Sequence, residues 1–205
     1  MKAIVYDRYG PPEVLRLEEV ARPPAGPREV LVKVHATTVN RLDVHTREAN
    51  RKSGLTMTVL SRAISGLRGP RRRILGTEFA GVVEAVGSDV NELAVGDRVF
   101  GSTGLRFGAH AEYLTISAAG RITTIPDLLL AILHSRSRGK RVVFQIPPRL
   151  PREDLLFVRR LVESGEFRPV IDRRYPLEEV IEASRYVETE RKKGNVILLV
   201  HPAPR

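Results

Sequence analysis

The side chains that most often hold catalytic metals are scarce in this chain. Its 205 residues include five histidines and no cysteine. The histidines are His35, His45, His110, His134 and His201, and no two of them have the close spacing of a paired metal motif. Because catalytic zinc needs about three protein ligands, we expect no metal site. The absence of cysteine also makes a cytoplasmic protein the default expectation.

The glycine pattern bears on cofactor chemistry. The pyrophosphate of a dinucleotide is commonly held by a G-x-G-x-x-G turn between a strand and a helix. The chain has 16 glycines, but no two of them are spaced as G-x-G. After Gly120 only Gly139, Gly165 and Gly194 remain, and none follows a predicted strand and opens a helix. We therefore expect this chain to bind no nicotinamide dinucleotide by itself.

The net charge of +10 raises the question of an anionic partner. Arginines cluster in residues 62–73, which include the adjacent Arg71, Arg72 and Arg73, and again in residues 136–141. Such clusters can bind nucleic acid by releasing counterions. Aromatic residues make up 5% of the chain, however, and none lies among these three arginines as a base-stacking surface requires. We favour solvated loops and keep nucleic-acid binding as the alternative.

No apolar run approaches the roughly 20 residues that a membrane helix needs. The longest candidate, residues 125–133, is interrupted by Pro126 and Asp127. The first six residues predict a strand rather than a secretion signal. We therefore expect no membrane partner.

Short strands dominate the first 125 residues. The alternation is clearest where Val30, Val32 and Val34 share one face. Residues 46–73 are less regular and include a predicted helix at 55–64. Many short, closely spaced strands predict a barrel or a sandwich. The predicted strands are residues 2–6, 14–19, 29–36, 78–86, 98–100, 109–116 and 120–125.

The last third of the chain is more helical. An amphipathic pattern predicts a helix at 152–164, with Gly165 at its C-terminal cap. Pro176 opens a second predicted helix, which Gly194 ends. The remaining predictions are a helix at 128–134 and strands at 140–146 and 195–200.

Several segments together carry a family signature. The most specific are Gly76–Gly87, with the sequence GTEFAGVVEAVG, and residues 95–99, with the sequence VGDRV. The others are residues 1–15, 29–43, 108–113, 165–172, 175–177 and 193–197. These segments resemble the medium-chain dehydrogenase/reductase superfamily, in its zinc-independent, zeta-crystallin-like branch of quinone oxidoreductases. They cover most of the chain, in the order that the family has.

The resemblance implies a mainly β (α+β) fold, a GroES-like partial β-barrel with C-terminal helices. In the family a Rossmann domain is inserted into the sequence of this barrel domain, and here most of it is missing. Residues 1–125 would be the first part of the GroES-like catalytic domain. Residues 126–147 would be a remnant of the dinucleotide-binding domain, and residues 148–205 would complete the GroES-like domain. We interpret the missing part as an internal deletion, natural or engineered.

The resemblance also implies an activity. In the family, hydride passes from NAD(P)H to a quinone, enone or carbonyl substrate, and NADP is the cofactor that we assign to the parent family. Without the cofactor-binding domain, we expect little or no activity from this chain alone. The alternative is a binding or scaffold module that associates through the strand at 140–146. In the family this strand pairs across a dimer, so the resemblance also implies a homo-oligomer.

Four residues follow from the resemblance as site candidates. Asn40 would donate to a substrate oxygen that gains charge, with a turn-forming asparagine as the alternative. His45 lies where some relatives carry a tyrosine that serves as proton donor or substrate contact, with an exposed loop histidine as the alternative. Lys193 and Asn195 lie where family members contact the cofactor.

The polar residues near these candidates are expected to serve the structure. We expect Asp43 to cap a short helix, and Arg47 either to pair with Asp43 or to line the cleft. Glu78 and Asp97 flank strands and turns. His110 lies on a predicted strand and is expected to be a packed core histidine.

Overall fold

A computed structural model of the protein describes residues 1–49, 54–118 and 152–201. The chain divides into two units, one formed by Met1–Ala119 with Val170–Arg205 and the other by Gly120–Pro169. The strands predicted at 120–125 and 140–146 and the helix predicted at 128–134 lie outside the described residues, as does the 126–147 segment assigned to a remnant domain.

The larger sheet is organised by its longest strand, β3, Glu29–Val39. One edge of β3 pairs antiparallel with β4, Glu78–Val86. The other edge is shared, because its first half pairs with β6, Tyr113–Ser117, and its second half with β8, Asn195–Leu199. A single long strand therefore brings the signature segment and the C-terminal strand together.

Two outer strands complete this sheet, and a smaller sheet accompanies it. β5, Arg98–Ser102, pairs with β4, and β7, Ile171–Pro176, pairs in parallel with β8. The order is β5-β4-β3-β8-β7, with β6 beside β3. β1, Lys2–Val5, and β2, Arg16–Glu19, form an antiparallel pair of their own. This sheet-rich architecture confirms the predicted mainly β fold.

Four α-helices belong to the described residues. They are α1, Arg41–Arg47, α2, Leu55–Ser65, α3, Arg152–Glu163, and α4, Val180–Glu188. The predictions at 55–64 and 152–164 are confirmed. Gly165 has a φ of +79°, the left-handed conformation that commonly follows a helix end. Among the described residues, no helix combines the length and the apolar character needed to cross a membrane.

The C-terminal elements differ from the sequence prediction. Pro176 ends β7 instead of opening a helix, and a short 3₁₀ turn, Leu177–Glu179, precedes α4. The helix ends at Glu188, well before Gly194. β7 itself was not predicted because its side chains are mostly exposed and show no clean alternation. The strand is defined by its backbone pairing with β8, a long-range feature that no local pattern reports.

β6 begins at Tyr113, four residues later than the predicted strand at 109–116. The N–H groups of Ala109 and His110 donate instead to the carbonyl oxygens of Gly76 and Leu75. Hydrogen bonds to a neighbouring loop therefore take these two N–H groups, and Ala111 forms only an isolated bridge with Ala3 of β1.

Three clusters of buried side chains occur among the described residues, and the two larger ones hold the main sheet and its helices together. Val30, Val32 and Val34 are each at most 1% exposed and pack with Phe79 and Leu114, which confirms the predicted face of β3. The other cluster joins residues around α1, α4 and β8, and it fixes the start of α1. Its members include Ile4, Tyr6, Val39, Val44, Leu177, Val180, Ala183, Val187, Val196 and Leu198.

Candidate functional site

Asn40 sits where β3 ends and α1 begins, as the N-cap of the helix. Its Oδ1 accepts from the backbone N–H groups of Leu42, at 2.9 Å, and Asp43, at 3.1 Å. The Asp43 carboxylate in turn accepts from the backbone N–H of Asn40 at 3.0 Å, which completes a capping box. The prediction that Asp43 caps the helix is therefore only partly right, because Asn40 is the N-cap and Asp43 is its N3 partner in the capping box.

The amide nitrogen of Asn40 reaches across to the signature segment. Nδ2 donates to Oγ1 of the buried Thr77 at 2.7 Å. An amide nitrogen carries two N–H groups, and this bond uses one. The Asn40 side chain is half-buried, and its second N–H makes no hydrogen bond to the described residues. One donor is therefore left for a ligand.

Asp43 is more than a helix cap. It is 2% exposed, and its Oδ1 accepts from the backbone N–H of Gly76 at 3.0 Å. Burial raises the pKa of the Asp43 carboxyl, and the nearby His110 ring and the two N–H donors oppose that shift only in part. The carboxylate therefore links the start of α1 to the loop that leads into β4.

His110 closes the buried side of this cluster and is 1% exposed, which confirms the prediction of a packed core histidine. Its Nε2 lies 2.9 Å from the carbonyl oxygen of Thr38, which can only accept, so Nε2 carries a hydrogen. The distance from Nε2 to Oδ2 of Asp43 is 4.0 Å, too long for a hydrogen bond. Nδ1 is buried without a partner among the described residues.

The loop that carries Gly76 and Thr77 is held on both sides. Thr103 Oγ1 donates to the carbonyl oxygen of Gly76 at 3.1 Å, and Ser102 Oγ donates to that of Thr77 at 2.9 Å. Gly76 has a φ of +92°, and a Cβ there would lie 2.5 Å from the His110 ring. The close packing and this backbone conformation both require glycine.

His45 lies within α1 and is half-buried, so the alternative of an exposed loop histidine is wrong. His45 lies about one helical turn, or about 6 Å of rise, after Arg41, the first residue of α1, whereas Asn40 is the N-cap in front of the helix. A joint role in one site requires a substrate large enough to reach both, and the role of His45 stays a prediction.

Arg47 does not pair with Asp43 and does not line an open cleft. It is 1% exposed, and its Nε donates to the carbonyl oxygen of Gly10 at 3.0 Å. Its guanidinium also pairs with Glu48, at 3.3 Å, and with Glu188 on α4. Arg47 thus ties α1 to α4, a contact that spans 141 residues. Sequence reasoning missed it because no local spacing connects the partners.

The predicted cofactor residues lie at the same end of the sheet as Asn40. Val39 pairs with Val196 in the β3–β8 ladder, so Asn40 and Asn195 are the next residues beyond that pair. Asn195 and Lys193 are exposed. The backbone N–H of Lys193 donates to the carboxylate of Asp172 at 2.8 Å. The fold therefore brings three of the four predicted site residues to one end of two adjacent strands.

The N-termini of α1 and α4 do not suit the pyrophosphate of a dinucleotide. Phosphates bind where the first N–H groups of a helix are free, but Asn40 takes those of Leu42 and Asp43 in α1. In α4, Glu179 is the N-cap and Glu182 lies in the first turn, and both would repel a phosphate. Within residues 1–49, 54–118 and 152–201 there is also no cluster of three or more metal-binding side chains.

The arginine cluster at residues 62–73 divides in two. Arg73 pairs with Asp7 and Glu18. Arg71 and Arg72 are exposed and form no ion pair with the described residues. The second cluster, residues 136–141, lies outside them.

Comparison with known proteins places this arrangement in a family. Residues 26–127 match the family described as the alcohol dehydrogenase GroES-like domain. A quinone oxidoreductase from Pseudomonas aeruginosa is 39% identical over 126 residues, which are 62% of this chain and 34% of that protein. The chain belongs to the medium-chain dehydrogenase/reductase superfamily, in its quinone oxidoreductase branch. It spans only about a third of the length of this relative.

Solved structures of this superfamily share the fold. A quinone oxidoreductase from Coxiella burnetii aligns with a TM-score of 0.74 at 21% identity, over 98% of this chain and 99% of that one. The quinone oxidoreductase of Escherichia coli, solved in complex with NADPH, aligns with a TM-score of 0.66 at 15% identity, over 98% and 100% of the two chains. At these identities the structures show a common fold. The GroES-like assignment made from the signature is confirmed.

Sequence reasoning named Asn40 but missed what holds it. Thr77 and Gly76 belong to the signature segment, yet their contacts with Asn40 and Asp43 span 37 and 33 residues. The local contact between Asn40 and Asp43 could have been found from the sequence, because Asp43 stands three residues after Asn40, which is the spacing of a capping box. The contacts with Gly76 and Thr77 depend on the fold, which places β3 beside β4.

Proposed function

We propose that this chain provides the substrate side of an NAD(P)H-dependent quinone or enone reductase, and that it neither holds the dinucleotide nor turns over substrate alone. Membership in the quinone oxidoreductase branch supports the reaction class. The single observation that carries the site is the Asn40 amide, which keeps one N–H after its other polar groups are bound.

The Asn40 amide is suited to stabilise charge on a substrate oxygen. When a quinone or enone is reduced, its carbonyl oxygen becomes negative, and a fixed N–H donor stabilises that charge without reorganising. The Oδ1 of Asn40 is occupied by two backbone N–H groups, so the amide acts towards a ligand as a donor only. His45 is the proposed proton donor, since an imidazole titrates near neutral pH.

The substrate role can be tested without turnover. Duroquinone, which has no reactive ring position, would be titrated into ¹⁵N-labelled chain while NMR follows the Asn40 side-chain amide. We expect selective shifts at Asn40. Asn40→Ser keeps a helix cap but removes the amide donor, so it should weaken duroquinone binding, followed at the backbone amides, and leave the circular dichroism unchanged. Quinone binding that is equally tight in Asn40→Ser contradicts the proposal.

The cofactor part of the proposal has a separate test. The chain has no G-x-G glycine pair, and the N-termini of α1 and α4 do not suit a pyrophosphate. An NADPH titration followed by nicotinamide fluorescence should therefore show no saturation at micromolar concentrations. The quinone oxidoreductase of Pseudomonas aeruginosa, a full-length relative, is the matched comparison. Micromolar affinity of this chain for NADPH would show that the proposal is wrong on this point.

Homo-oligomer formation remains part of the proposal, with the strand predicted at 140–146 as the contact. That strand lies outside the described residues, so the support comes from the resemblance alone. Multi-angle light scattering decides it: a dimer that Val142→Pro converts to monomer supports the strand contact, because proline cannot donate to a pairing strand. A monomer at all concentrations removes this part.

A further inference from the structure

The buried Asp43 carboxylate joins two segments that are distant in sequence. Its Oδ2 accepts from the Asn40 N–H, and its Oδ1 accepts from the Gly76 N–H, each at 3.0 Å. The first bond is local to the start of α1, whereas the second spans 33 residues. Asp43 and Gly76 are both buried, so water cannot replace these bonds if they break.

The same two segments carry the two ends of the Asn40–Thr77 hydrogen bond. Thr77 directly follows Gly76, so a displacement of Gly76 moves the acceptor Oγ1, and a displacement of the Asn40 backbone moves the donor. The partners of Asn40 Oδ1 are backbone N–H groups, which can only donate. The amide therefore cannot be flipped, and its direction is defined by the segments that Asp43 joins.

We propose that Asp43 is a positioning residue whose carboxylate fixes the direction of the remaining Asn40 N–H by holding the Asn40 and Thr77 segments in one geometry. The inference rests on the proposed role of Asn40 as the donor to a substrate oxygen. Asp43 acts through Asn40, and its own oxygens are already bound to backbone N–H groups.

The surroundings of Asp43 make its ionisation a direct probe of this arrangement. His110 gives its Nε2–H to Thr38, and Arg47 pairs with two glutamates. No described cation therefore donates a hydrogen bond to the carboxylate, and protonation must alter its bonds to Asn40 and Gly76. The titratable and charged groups that face Asp43 or share its surroundings are His110, Glu78, Tyr6 and Arg47.

The experiment follows two nuclei in one pH titration of the wild-type chain. The ¹³C resonance of the Asp43 carboxyl reports its ionisation, and the side-chain amide of Asn40 reports the donor. We expect both to move with the same midpoint, displaced upward from the ordinary value of 3.8. If Asp43 titrates while the Asn40 amide does not respond, the carboxylate serves only stability and the proposal is overturned.

Variants give the matched controls. Asp43→Asn should remove the pH response of the Asn40 amide and weaken duroquinone binding about tenfold, the equivalent of one lost hydrogen bond. Thr77→Val removes the acceptor of Asn40 Nδ2 and should also weaken binding, while Asp43 still titrates. Asp97→Asn alters an exposed carboxylate that also accepts a backbone N–H, that of Ala94 at 2.8 Å, and it should change neither readout. Unchanged quinone affinity in a folded Asp43→Asn chain would contradict positioning.

The two proposals fail in different ways. If wild-type chain shows coupled titration but no duroquinone shift at Asn40, the proposed substrate role is wrong and the link from Asp43 to Asn40 stands. If duroquinone binds at Asn40 without coupled titration, the substrate role stands and the positioning role is wrong. Should Asp43→Asn fail to fold, the wild-type titration decides alone.

Discussion

Asp43 and Asp7 are carboxylates that each bridge two partners, yet their surroundings differ in every other respect. Asp43 is 2% exposed and accepts from two neutral backbone N–H groups. The side chain of Asp7 is 48% exposed and pairs with the guanidinium groups of Arg16 and Arg73. Burial raises the pKa of Asp43, whereas the hydrogen bonds from Arg73 and Arg16 lower that of Asp7. Solvent and partner charge, rather than the number of bonds, set the behaviour of a carboxylate.

Replacing a buried and an exposed glycine by alanine should give the largest difference in stability between the buried site and the surface. Gly76 and Gly96 have nearly the same φ, +92° and +94°. A Cβ at Gly76 would lie 2.6 Å from the His110 backbone nitrogen, whereas a Cβ at Gly96 would have no atom within 4 Å apart from its chain neighbours. We expect Gly76→Ala to lower the free energy of unfolding by about 3 kcal/mol, because it adds both backbone strain and overpacking. Gly96→Ala carries the strain alone, about 1 kcal/mol.

Urea unfolding of the two variants measures this difference. Because Gly96 shares the backbone conformation, it separates the steric effect from the φ effect. Equal losses in the two variants would show that the packing of Gly76 against His110 carries no energy.

Removing each carboxylate tests the comparison itself. Asp43→Ala leaves the N–H groups of Asn40 and Gly76 without acceptors, which we expect to cost about 2 kcal/mol after the gain from no longer burying a charge. Asp7→Ala breaks solvent-exposed ion pairs and should change the unfolding midpoint only slightly. Chemical denaturation at neutral pH compares them, and a larger effect at Asp7 would reverse the ranking.

The pH dependence of stability should differ in sign between the two carboxylates. The raised folded-state pKa of Asp43 means that its contribution is present below 3.8 and is lost as pH rises through the folded-state value. The lowered pKa of Asp7 means that its contribution is present above 3.8 and is lost as pH falls through the folded-state value.

Urea midpoints measured from about pH 3 to pH 7 resolve these slopes. Asp43→Asn should flatten the decline in stability on the alkaline side of 3.8, and Asp7→Asn should flatten the decline on the acid side. The same sign of change in both variants would contradict the assignment of opposite pKa shifts.

The smallest expected effect is that of salt on the stability differences between wild type and the two alanine variants. At about 1 M salt the screening length falls to about 3 Å, so the difference between wild type and Asp7→Ala should disappear. The difference between wild type and Asp43→Ala should persist because its hydrogen bonds are buried and its partners are uncharged. A loss of the Asp43 effect in salt would indicate that ionic interactions dominate at this site too.

Local patterns in the sequence predicted much of the fold. The alternating valines of β3 gave its buried face, and the strand at 78–86 has the bounds that were predicted. β7 was missed because edge strands with exposed side chains carry no alternation, and the end of α4 was misplaced because Gly194 is followed by a strand. Patterns report which face is buried, but they do not report which strand lies beside it.

The sequence by itself determined the family, most of the strands and helices, and a helix start near Asp43, because the signals for these lie within one segment, one turn or one strand. Only the tertiary structure decided that Asp43 also binds Gly76, that Asn40 reaches Thr77, and that Arg47 pairs with Glu188. Those contacts form because β3 is long enough to pair with β4 on one edge and β8 on the other. Their geometry is set by where the sheet brings distant segments together, and residue spacing carries no information about that.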